Sequence, residues 1–406
     1  MSVELLFSLL ITIVIVGFLA DTWLDTLNFR HSQAQAWNQD LYTKEQHEKS
    51  LAYQKANFYF GTISSTVSIA LTLAFLGFGL FGALDEYLRS ITTQPILLAL
   101  LFFGAYGLIT GIISTGFAIY STFVIENKFG FNRTTVATFI ADQIKGLIVS
   151  VILGGAIVSL LVWLYGLLGT NFWLAAWLVI MAVILFLFAF QTSVLLPLFN
   201  KLTPLPEGEL KDAITEFCKK QGYGIKRLFV MDSSKRTSKA NAFFSGIGKS
   251  RTIVLFDTLI DKLTVDEVVA VLAHEIGHDK RKHTLVMFIF TAVQMFLFTF
   301  LFGQILGREE FARVLGAEPS FHIAAITFFI LFSPVSMLLS WLFNTMSRRN
   351  EFDADQFATS TFKAEPMKTA LEKLAADSLS NLNPHPLYVK VHYSHPPLIE
   401  RVKALQ

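Results

Sequence analysis

The sequence predicts an all-α, multi-pass membrane protein with seven transmembrane helices and a small α+β segment outside the bilayer. Composition is the first reason: 53% of the 406 residues are hydrophobic and only 16% are charged, with a mean hydropathy of +0.52. In soluble domains about a quarter of the residues are charged. The second reason is the arrangement of the apolar residues, because runs of roughly 20, enough to cross a bilayer, occur seven times.

The first apolar run begins directly after Glu4 and has no basic residue ahead of it. This predicts a permanent span rather than a cleavable signal peptide. The seven predicted spans are Leu5 to Leu24, Phe58 to Leu80, Ile96 to Tyr120, Leu147 to Leu168, Trp173 to Leu195, Leu285 to Leu306 and Phe321 to Phe343.

The basic residues between the spans predict the orientation, because cytoplasmic loops carry the excess of Lys and Arg. The loops after the first and third spans contain Arg30, Lys44, Lys49 and Lys55, and Lys128, Arg133 and Lys145. The alternate loops contain only Arg89, no basic residue, and the pair Arg308 and Arg313. The amino terminus is therefore predicted to lie outside and the carboxyl terminus in the cytosol.

The spans divide the chain into four segments, in which spans 1 to 5 and spans 6 and 7 alternate with two cytosolic segments. The four segments are 1–198, 199–283, 284–346 and 347–406. In the second, short apolar stretches bounded by Ser, Lys or Gly predict a small sheet ahead of a helix. These stretches are 228–231, 241–244 and 252–256. The last segment is predicted to be helical as far as Asn381.

Charge and cysteine content exclude some classes of function. The net charge is only +2, and the basic residues lie in separate loops rather than in one patch, which argues against nucleic-acid binding. Cys218 is the single cysteine, so no intramolecular disulfide forms and no oxidising compartment is implied. It is expected to be a free, buried thiol.

The segment 199–283 ends in a His-Glu-x-x-His motif, at His274, Glu275 and His278. On a helix this spacing places two imidazoles on one face with a carboxylate beside them, which is the arrangement of a catalytic zinc site. A helix is predicted here because the residues 264–267 form a capping box and no Pro interrupts the stretch that follows. Val268, Val269, Leu272 and Ile276 give this helix an apolar face.

Two histidines leave zinc without a third protein ligand, and catalytic sites of this type often add a carboxylate. Glu351 is the candidate, because it follows the seventh span at the membrane face that the motif helix precedes. Asp355 lies four residues later, where it can accept the free ring N–H of a ligand histidine. The alternative for this stretch is an interfacial helix whose acids are paired with Arg348 and Arg349.

Glu275 is predicted to be the general base. Zinc lowers the pKa of a bound water to about 7, and a neighbouring carboxylate can take its proton and return it to a leaving amine. A structural zinc site would need no Glu275 and would be closed by a fourth Cys or His. The motif therefore predicts peptide hydrolysis with one zinc ion per chain.

Over nearly its whole length the chain resembles the integral-membrane zinc metalloproteases that include the type I CAAX prenyl proteases. The resemblance rests on six motifs: Glu126 to Asn132, Ser238 to Phe244, Ile253 to Leu259, His274 to His278, Glu351 to Asp355, and Ser394 to Leu398. It implies zinc on His274, His278 and Glu351, general catalysis by Glu275, and transition-state help from His395 and Arg401. It also implies a seven-helix barrel around a water-filled chamber, with the zinc site on its cytosolic side.

The resemblance further implies that the substrate backbone pairs with the strand Asn241, Ala242, Phe243 and Phe244, a mode that fixes an extended peptide in register. His395 precedes two prolines, so from the residues alone it is a turn residue. The remaining histidines are expected at surface, interface or packing positions: His31, His47, His283, His322, His385 and His392.

Three functions are compatible with the sequence. The first is removal of carboxyl-terminal tripeptides from prenylated proteins, the second is general quality control of membrane proteins without a prenyl requirement, and the third is a transporter or channel with an incidental motif. The expected partners are the bilayer and a peptide or protein substrate, including lipidated ones, with no obligatory protein partner. The compact chain without an evident retention signal favours a bacterial inner membrane, or the endoplasmic reticulum membrane in a eukaryote.

Overall fold

The computed structural model describes residues 2–34, 36–37, 41–245 and 251–405. Within these residues, seven helical segments are long and apolar enough to cross a membrane, which confirms the predicted spans. The segments are Val3–Gln33, Lys44–Gly77, Pro95–Phe129, Val136–Leu168, Phe172–Phe199, His283–Ile305 and Phe321–Thr361.

Three of the spans contain a short π-helical stretch, so each is built from two helices. The elements of the amino-terminal half are α1 (Val3–Gln33), α2 (Lys44–Gly77), α3 (Leu80–Ile91), α4 (Pro95–Tyr120), α5 (Asn127–Phe129), α6 (Val136–Val149), α7 (Gly155–Leu168), α8 (Phe172–Phe190) and α9 (Leu196–Phe199). The π-helical stretches are Ser121–Glu126, Ser150–Gly154 and Gln191–Leu195.

Within the described residues, the carboxyl-terminal half contains the sheet, the last two spans and seven other α-helices. Its elements are β1 (Leu202–Pro204), α10 (Glu209–Lys220), β2 (Arg227–Met231), β3 (Ala242–Ser245), β4 (Thr252–Phe256), α11 (Asp257–Ile260), α12 (Val265–Lys280), α13 (His283–Ile305), α14 (Glu309–Arg313), α15 (Phe321–Thr361), α16 (Ala364–Asp377), α17 (Pro386–His392) and α18 (Leu398–Ala404).

The faces of the spans that point away from the protein are apolar. Leu108, Ile152 and Val293 are each more than 60% exposed, and large exposed apolar surfaces of this kind mark contact with lipid. Inside, Phe172, Phe302 and Phe328 belong to a core between α8, α13 and α15. The spans are therefore held to one another by aromatic packing and present aliphatic side chains to the bilayer.

The sheet has four strands in the order β1-β2-β4-β3. Strand β4 pairs in parallel with β2 and antiparallel with β3, and its Ile253, Val254 and Leu255 are almost fully buried. A continuous apolar run of this kind is typical of a central strand. Three of the strands lie where the sequence predicts them, whereas β1 was not predicted, because it has only three residues and is defined by its pairing with β2.

Helix α12 packs on this sheet. Thr264 caps it in a capping box with Glu267, as predicted, and its apolar face is buried against Ile253, Leu255 and Leu259. The helix is therefore fixed by both its start signal and its core contacts, which gives the two motif histidines a rigid support.

Helix α15 is a single helix of 41 residues that continues well beyond the seventh span. The sequence predicted a span that ends at Phe343, with Glu351 in the cytosolic segment after it, but no Gly or Pro lies between Val335 and Thr361 to end the helix. Glu351 therefore lies on a rigid extension of a membrane span.

Helices α12 and α15 cross closely at Gly277, between the two motif histidines. A Cβ atom at this position would lie 3.1 Å from Ala354 Cα and from Phe357 Cβ, which is closer than the 3.5–4.0 Å of ordinary carbon contacts. The missing side chain of Gly277 thus allows the two helices that carry the predicted ligands to approach each other.

Candidate active site

The three predicted metal ligands meet where α12 and α15 cross. The ligand atoms of His274, His278 and Glu351 lie within 4.8 Å of one another. The two Nε2 atoms are 3.1 Å apart, Glu351 Oε2 is 3.5 Å from Nε2 of His274, and Glu351 Oε1 is 3.3 Å from Nε2 of His278. The contact between α12 and α15 thus brings together side chains more than 70 residues apart in the sequence.

This arrangement fits a single tetrahedral ion. Two ligand atoms about 2.05 Å from zinc at a tetrahedral angle are separated by roughly 3.3 Å; the two histidine nitrogens are 3.1 Å apart, and each lies 3.3–3.5 Å from a different oxygen of Glu351. Glu351 Oε2 is buried and makes no hydrogen bond within the described residues; Arg401 Nη1 lies 3.3 Å away, and a metal ion would give this oxygen a direct bond. The donor set, two imidazoles and one carboxylate, is that of a catalytic zinc site with an open position.

His274 is held by a carboxylate on the ring side that faces away from the other ligands. Its Nδ1 lies 2.8 Å from Asp355 Oδ1, and Arg401 holds the same carboxylate through Nε at 2.8 Å and a terminal nitrogen at 2.6 Å. Burial opposes protonation of His274, but the hydrogen bonds to Asp355 and Glu351 outweigh it and raise its pKa to about 9. A cation at Nε2 therefore competes with a proton for this residue.

Glu275 lies on the same helix, between the two histidines in sequence. Burial raises the pKa of its carboxyl group, against the opposite influence of His274 and His278. A raised pKa brings a carboxylate nearer to the pH at which a general base works best.

His395 and Arg401 both reach the centre from the carboxyl-terminal segment. His395 Nδ1 is 3.0 Å from Glu351 Oε1, and its side chain is 66% exposed. Arg401 is nearly buried, and its terminal nitrogen Nη1 lies 3.3 Å from Glu351 Oε2. The segment is anchored because Arg348 donates to the carbonyl oxygens of Val389 and Tyr393.

His283 is the residue that sequence reasoning missed. Its Nδ1 lies 3.1 Å from His278 Nδ1, and its Nε2 lies 3.2 Å from Asp353 Oδ2, so it is not simply a surface, interface or packing residue. The signal was a third histidine five residues after the motif, but that spacing does not place two side chains on one face of a regular helix.

Strand β3 lies at the edge of the sheet and contains Ala242, Phe243 and Phe244 of the predicted substrate strand. Asn241 directly precedes it and accepts a hydrogen bond from Phe256 N on β4 at 3.1 Å. In the described part of the chain β3 pairs only with β4, and the edge of a sheet is where an extended peptide can add a strand.

The residues leading into β3 are fixed to the membrane spans. Lys239 Nζ contacts Glu126 Oε2 at 2.9 Å and Tyr53 Oη at 3.1 Å, and lies 4.3 Å from the centre of the Phe131 ring. The Lys239 carbonyl accepts a hydrogen bond from Thr258 Oγ1 at 2.9 Å. The edge strand is thus positioned by α2 and the third span as well as by its own sheet.

Family models and relatives of known name match most of the chain. Residues 26–201 match the model of the CAAX prenyl protease N-terminal region with five membrane helices, and residues 204–406 match that of peptidase family M48. The chain is 38% identical to CAAX prenyl protease 1 homolog of Arabidopsis thaliana, covering 89% of this chain and 88% of that protein. For the homolog of Homo sapiens the identity is 34%, with coverages of 89% and 86%.

A solved structure has the same fold. The crystal structure of S. mikatae Ste24p superposes with a TM-score of 0.94 and 30% sequence identity, covering 99% of both chains. CAAX prenyl protease 1 of Saccharomyces cerevisiae is 32% identical, with coverages of 90% and 87%.

Proposed function

Since this chain belongs to peptidase family M48 and is a membrane zinc metalloprotease, we propose that it removes the carboxyl-terminal tripeptide from prenylated proteins. The observation that carries the proposal is the cluster of His274, His278 and Glu351, with Glu275 on the same helix. The prenylated class of substrate is supported by the CAAX prenyl protease names of relatives that match most of the chain. Membership of a protease family excludes the third hypothesis, a transporter or channel with an incidental motif.

The family implies a metal, and we assign one zinc ion per chain to His274, His278 and Glu351. Bound there, zinc supplies a Lewis acid that polarises the scissile carbonyl and makes water a stronger nucleophile. Asp355 fixes the ring of His274 through Nδ1, and Arg401 holds the carboxylate of Asp355 in turn. Such contacts keep a ligand in the orientation that the ion requires.

Glu275 moves the proton in the proposed mechanism. As water attacks the scissile carbonyl carbon, the Glu275 carboxylate takes a proton from it, and when the C–N bond breaks the same carboxyl returns that proton to the leaving amine. The raised pKa of Glu275 makes it a stronger base for the first half of this exchange.

His395 and Arg401 have different environments, and we propose different roles for them. His395 is exposed beside Glu351, so in its protonated form it can donate to the oxygen that gains charge in the transition state. The donors of Arg401 are directed at Asp355 and Glu351, so its contribution to transition-state stabilisation acts through these two carboxylates.

The substrate is proposed to lie along the free edge of β3 as an additional strand next to Asn241, Ala242, Phe243 and Phe244. Backbone pairing satisfies the peptide groups and fixes the scissile bond in register over α12, while it leaves the side chains to be selected elsewhere. We place the active site on the cytosolic side, at a chamber enclosed by the seven spans, in the bacterial inner membrane or the endoplasmic reticulum membrane. The bilayer and the substrate are its only required partners in this proposal.

The test is the zinc content of the purified protein together with cleavage of a farnesylated CAAX peptide and its unprenylated twin. Near-stoichiometric zinc and cleavage of the farnesylated peptide alone are expected. Equal cleavage of both peptides would replace the proposal with a general membrane protease of the quality-control type, and no cleavage of either would refute the substrate class.

Two variants test the mechanism in the same assay. Glu275→Ala is expected to keep zinc and lose cleavage, because it removes the base without removing a ligand, whereas Glu216→Ala, an exposed position on α10, is expected to behave as wild type. Cleavage by Glu275→Ala at the wild-type rate would refute the mechanism.

A further inference from the structure

We propose that His283 and Asp353 form a positioning pair for the zinc ligand His278 and set the affinity of the site for metal. This inference rests on the proposed zinc site. It goes beyond that site, because neither residue belongs to the ligand set or to the His-Glu-x-x-His motif.

The contacts form a chain from the ligand to solvent. His278 Nε2 faces the other ligands, while its second nitrogen, Nδ1, lies 3.1 Å from His283 Nδ1. His283 Nε2 lies 3.2 Å from Asp353 Oδ2. The His283 side chain is 8% exposed and that of Asp353 is 40% exposed, so the imidazole is enclosed and the carboxylate reaches water.

The positions of the protons follow from the metal ligand. When Nε2 of His278 gives its lone pair to a cation, the ring proton is on Nδ1 and must be donated to an acceptor. His283 Nδ1 is the nitrogen within reach, so it accepts, and the proton of His283 is then on Nε2. That N–H is donated to Asp353. Each ring nitrogen of His278 and His283 then has a partner, with both rings neutral.

The other ligand histidine has a matching arrangement. His274 Nδ1 contacts Asp355 directly at 2.8 Å, whereas His278 reaches a carboxylate through one intervening imidazole. Asp353 and Asp355 both lie on α15, so each histidine of α12 is fixed to the helix that supplies the third ligand, Glu351. These two contacts, through Asp355 and Asp353, together hold the ligand histidines of α12 against Glu351 of α15.

The backbone between α12 and α13 directs His283 toward the site. Helix α12 ends at Lys280 and α13 begins at His283, and between them Lys282 has a φ of 60°. A left-handed conformation is unfavourable for a non-glycine residue. It reverses the chain so that the first residue of α13 lies beside the last turn of α12, and the start of a membrane span thereby contacts the metal centre.

Among the described residues, Asp353 has no other close ion-pair partner that accounts for its position. Arg281 is 3.9 Å away, at the limit of an ion pair, with both side chains substantially exposed. An exposed pair of this kind contributes little to stability, whereas partners that orient a ligand histidine change metal affinity by about 10- to 100-fold.

The test measures zinc affinity by chelator competition in detergent for the full-length protein and four variants. His283→Ala is expected to weaken zinc binding about 10- to 100-fold and to alter the absorption spectrum of the Co²⁺-substituted protein. Asp353→Ala is expected to weaken zinc binding to a smaller extent. His283→Gln is expected to recover most of the affinity, because its amide oxygen accepts the His278 N–H. The control is His47→Ala, on α2 and remote in sequence from the motif, and it should match wild type.

The melting temperature of each metal-free variant separates positioning from folding. Zinc affinity of His283→Ala within twofold of wild type would overturn the proposal, and so would equal losses in His283→Ala and His283→Gln. If His283→Ala does not fold, Asp353→Ala and His283→Gln decide the question. A wild-type protein that binds zinc but cleaves no CAAX peptide would refute the proposed substrate class alone, whereas a wild type that binds no zinc would refute both.

Discussion

Substitution of Gly277 by Ala tests whether the close approach of α12 and α15 sets the geometry of the zinc site. The new methyl group would lie 3.1 Å from Ala354 Cα and Phe357 Cβ and 3.2 Å from the Ala354 carbonyl oxygen. Ordinary contacts are about 0.5 Å longer. Two of these three neighbours are backbone atoms, so the helices have to separate rather than a side chain turning away.

A separation of about 0.5 Å exceeds the tolerance of roughly 0.2 Å for metal–ligand distances. The cross-helix ligand separations, now 3.5 Å and 3.3 Å, would increase with it. We therefore expect zinc affinity to fall about 10- to 100-fold, equivalent to roughly 1.4–2.8 kcal/mol. Overpacking costs about 1–3 kcal/mol, and the gain in helix propensity returns about 1 kcal/mol, so the free energy of unfolding of the metal-free protein should fall by only about 0–2 kcal/mol.

Chelator competition measures the zinc affinity, and thermal unfolding of the metal-free protein measures the stability. Gly146→Ala is the matched control, because it lies in α6 with nothing within 4 Å of an added Cβ, and it should gain stability without changing metal binding. Wild-type zinc affinity in Gly277→Ala would refute the reasoning that helix approach sets the ligand separations.

Three other substitutions test the surroundings of the site. His395→Ala is expected to lower turnover about 100-fold with zinc still bound; loss of the metal instead would make His395 a ligand. Lys239→Met breaks the contacts with Glu126 and Tyr53, so the KM for peptide should rise severalfold while kcat and zinc content stay nearly unchanged. Lys239→Arg should recover part of the loss. An unchanged KM in Lys239→Met would show that β3 needs no such anchor. Burial raises the pKa of Cys218 to about 12, so the thiol stays protonated in the folded state but ionises in the unfolded state above about pH 8.5. The free energy of unfolding, measured with denaturant, should therefore decline more steeply with rising pH between about 9 and 12 in wild type than in Cys218→Ala. Parallel pH curves for the two proteins would contradict the burial argument.

Local features of the sequence predicted most of the fold. The seven spans follow from the length and apolarity of single stretches, because a helix in lipid satisfies its own backbone hydrogen bonds without a partner. The start of α12 follows from Thr264 and Glu267, which cap the helix within one turn. The pairing of β1 and the extent of α15 were not predicted, since the first depends on a partner strand and the second on the absence of any residue that ends the helix.

The sequence by itself identified the side chains that we propose to bind a cation and move a proton: His274, Glu275 and His278 by their helical spacing, and Glu351 by its place after the last span. Only the tertiary structure decided how they are held. The bare face of Gly277, the left-handed turn at Lys282 and the contact of His283 with Asp353, 70 residues away, depend on where α13 and α15 pass α12. The physical reason is that residue spacing determines neighbours within one helix, whereas contacts between helices are fixed by the packing of the whole chain.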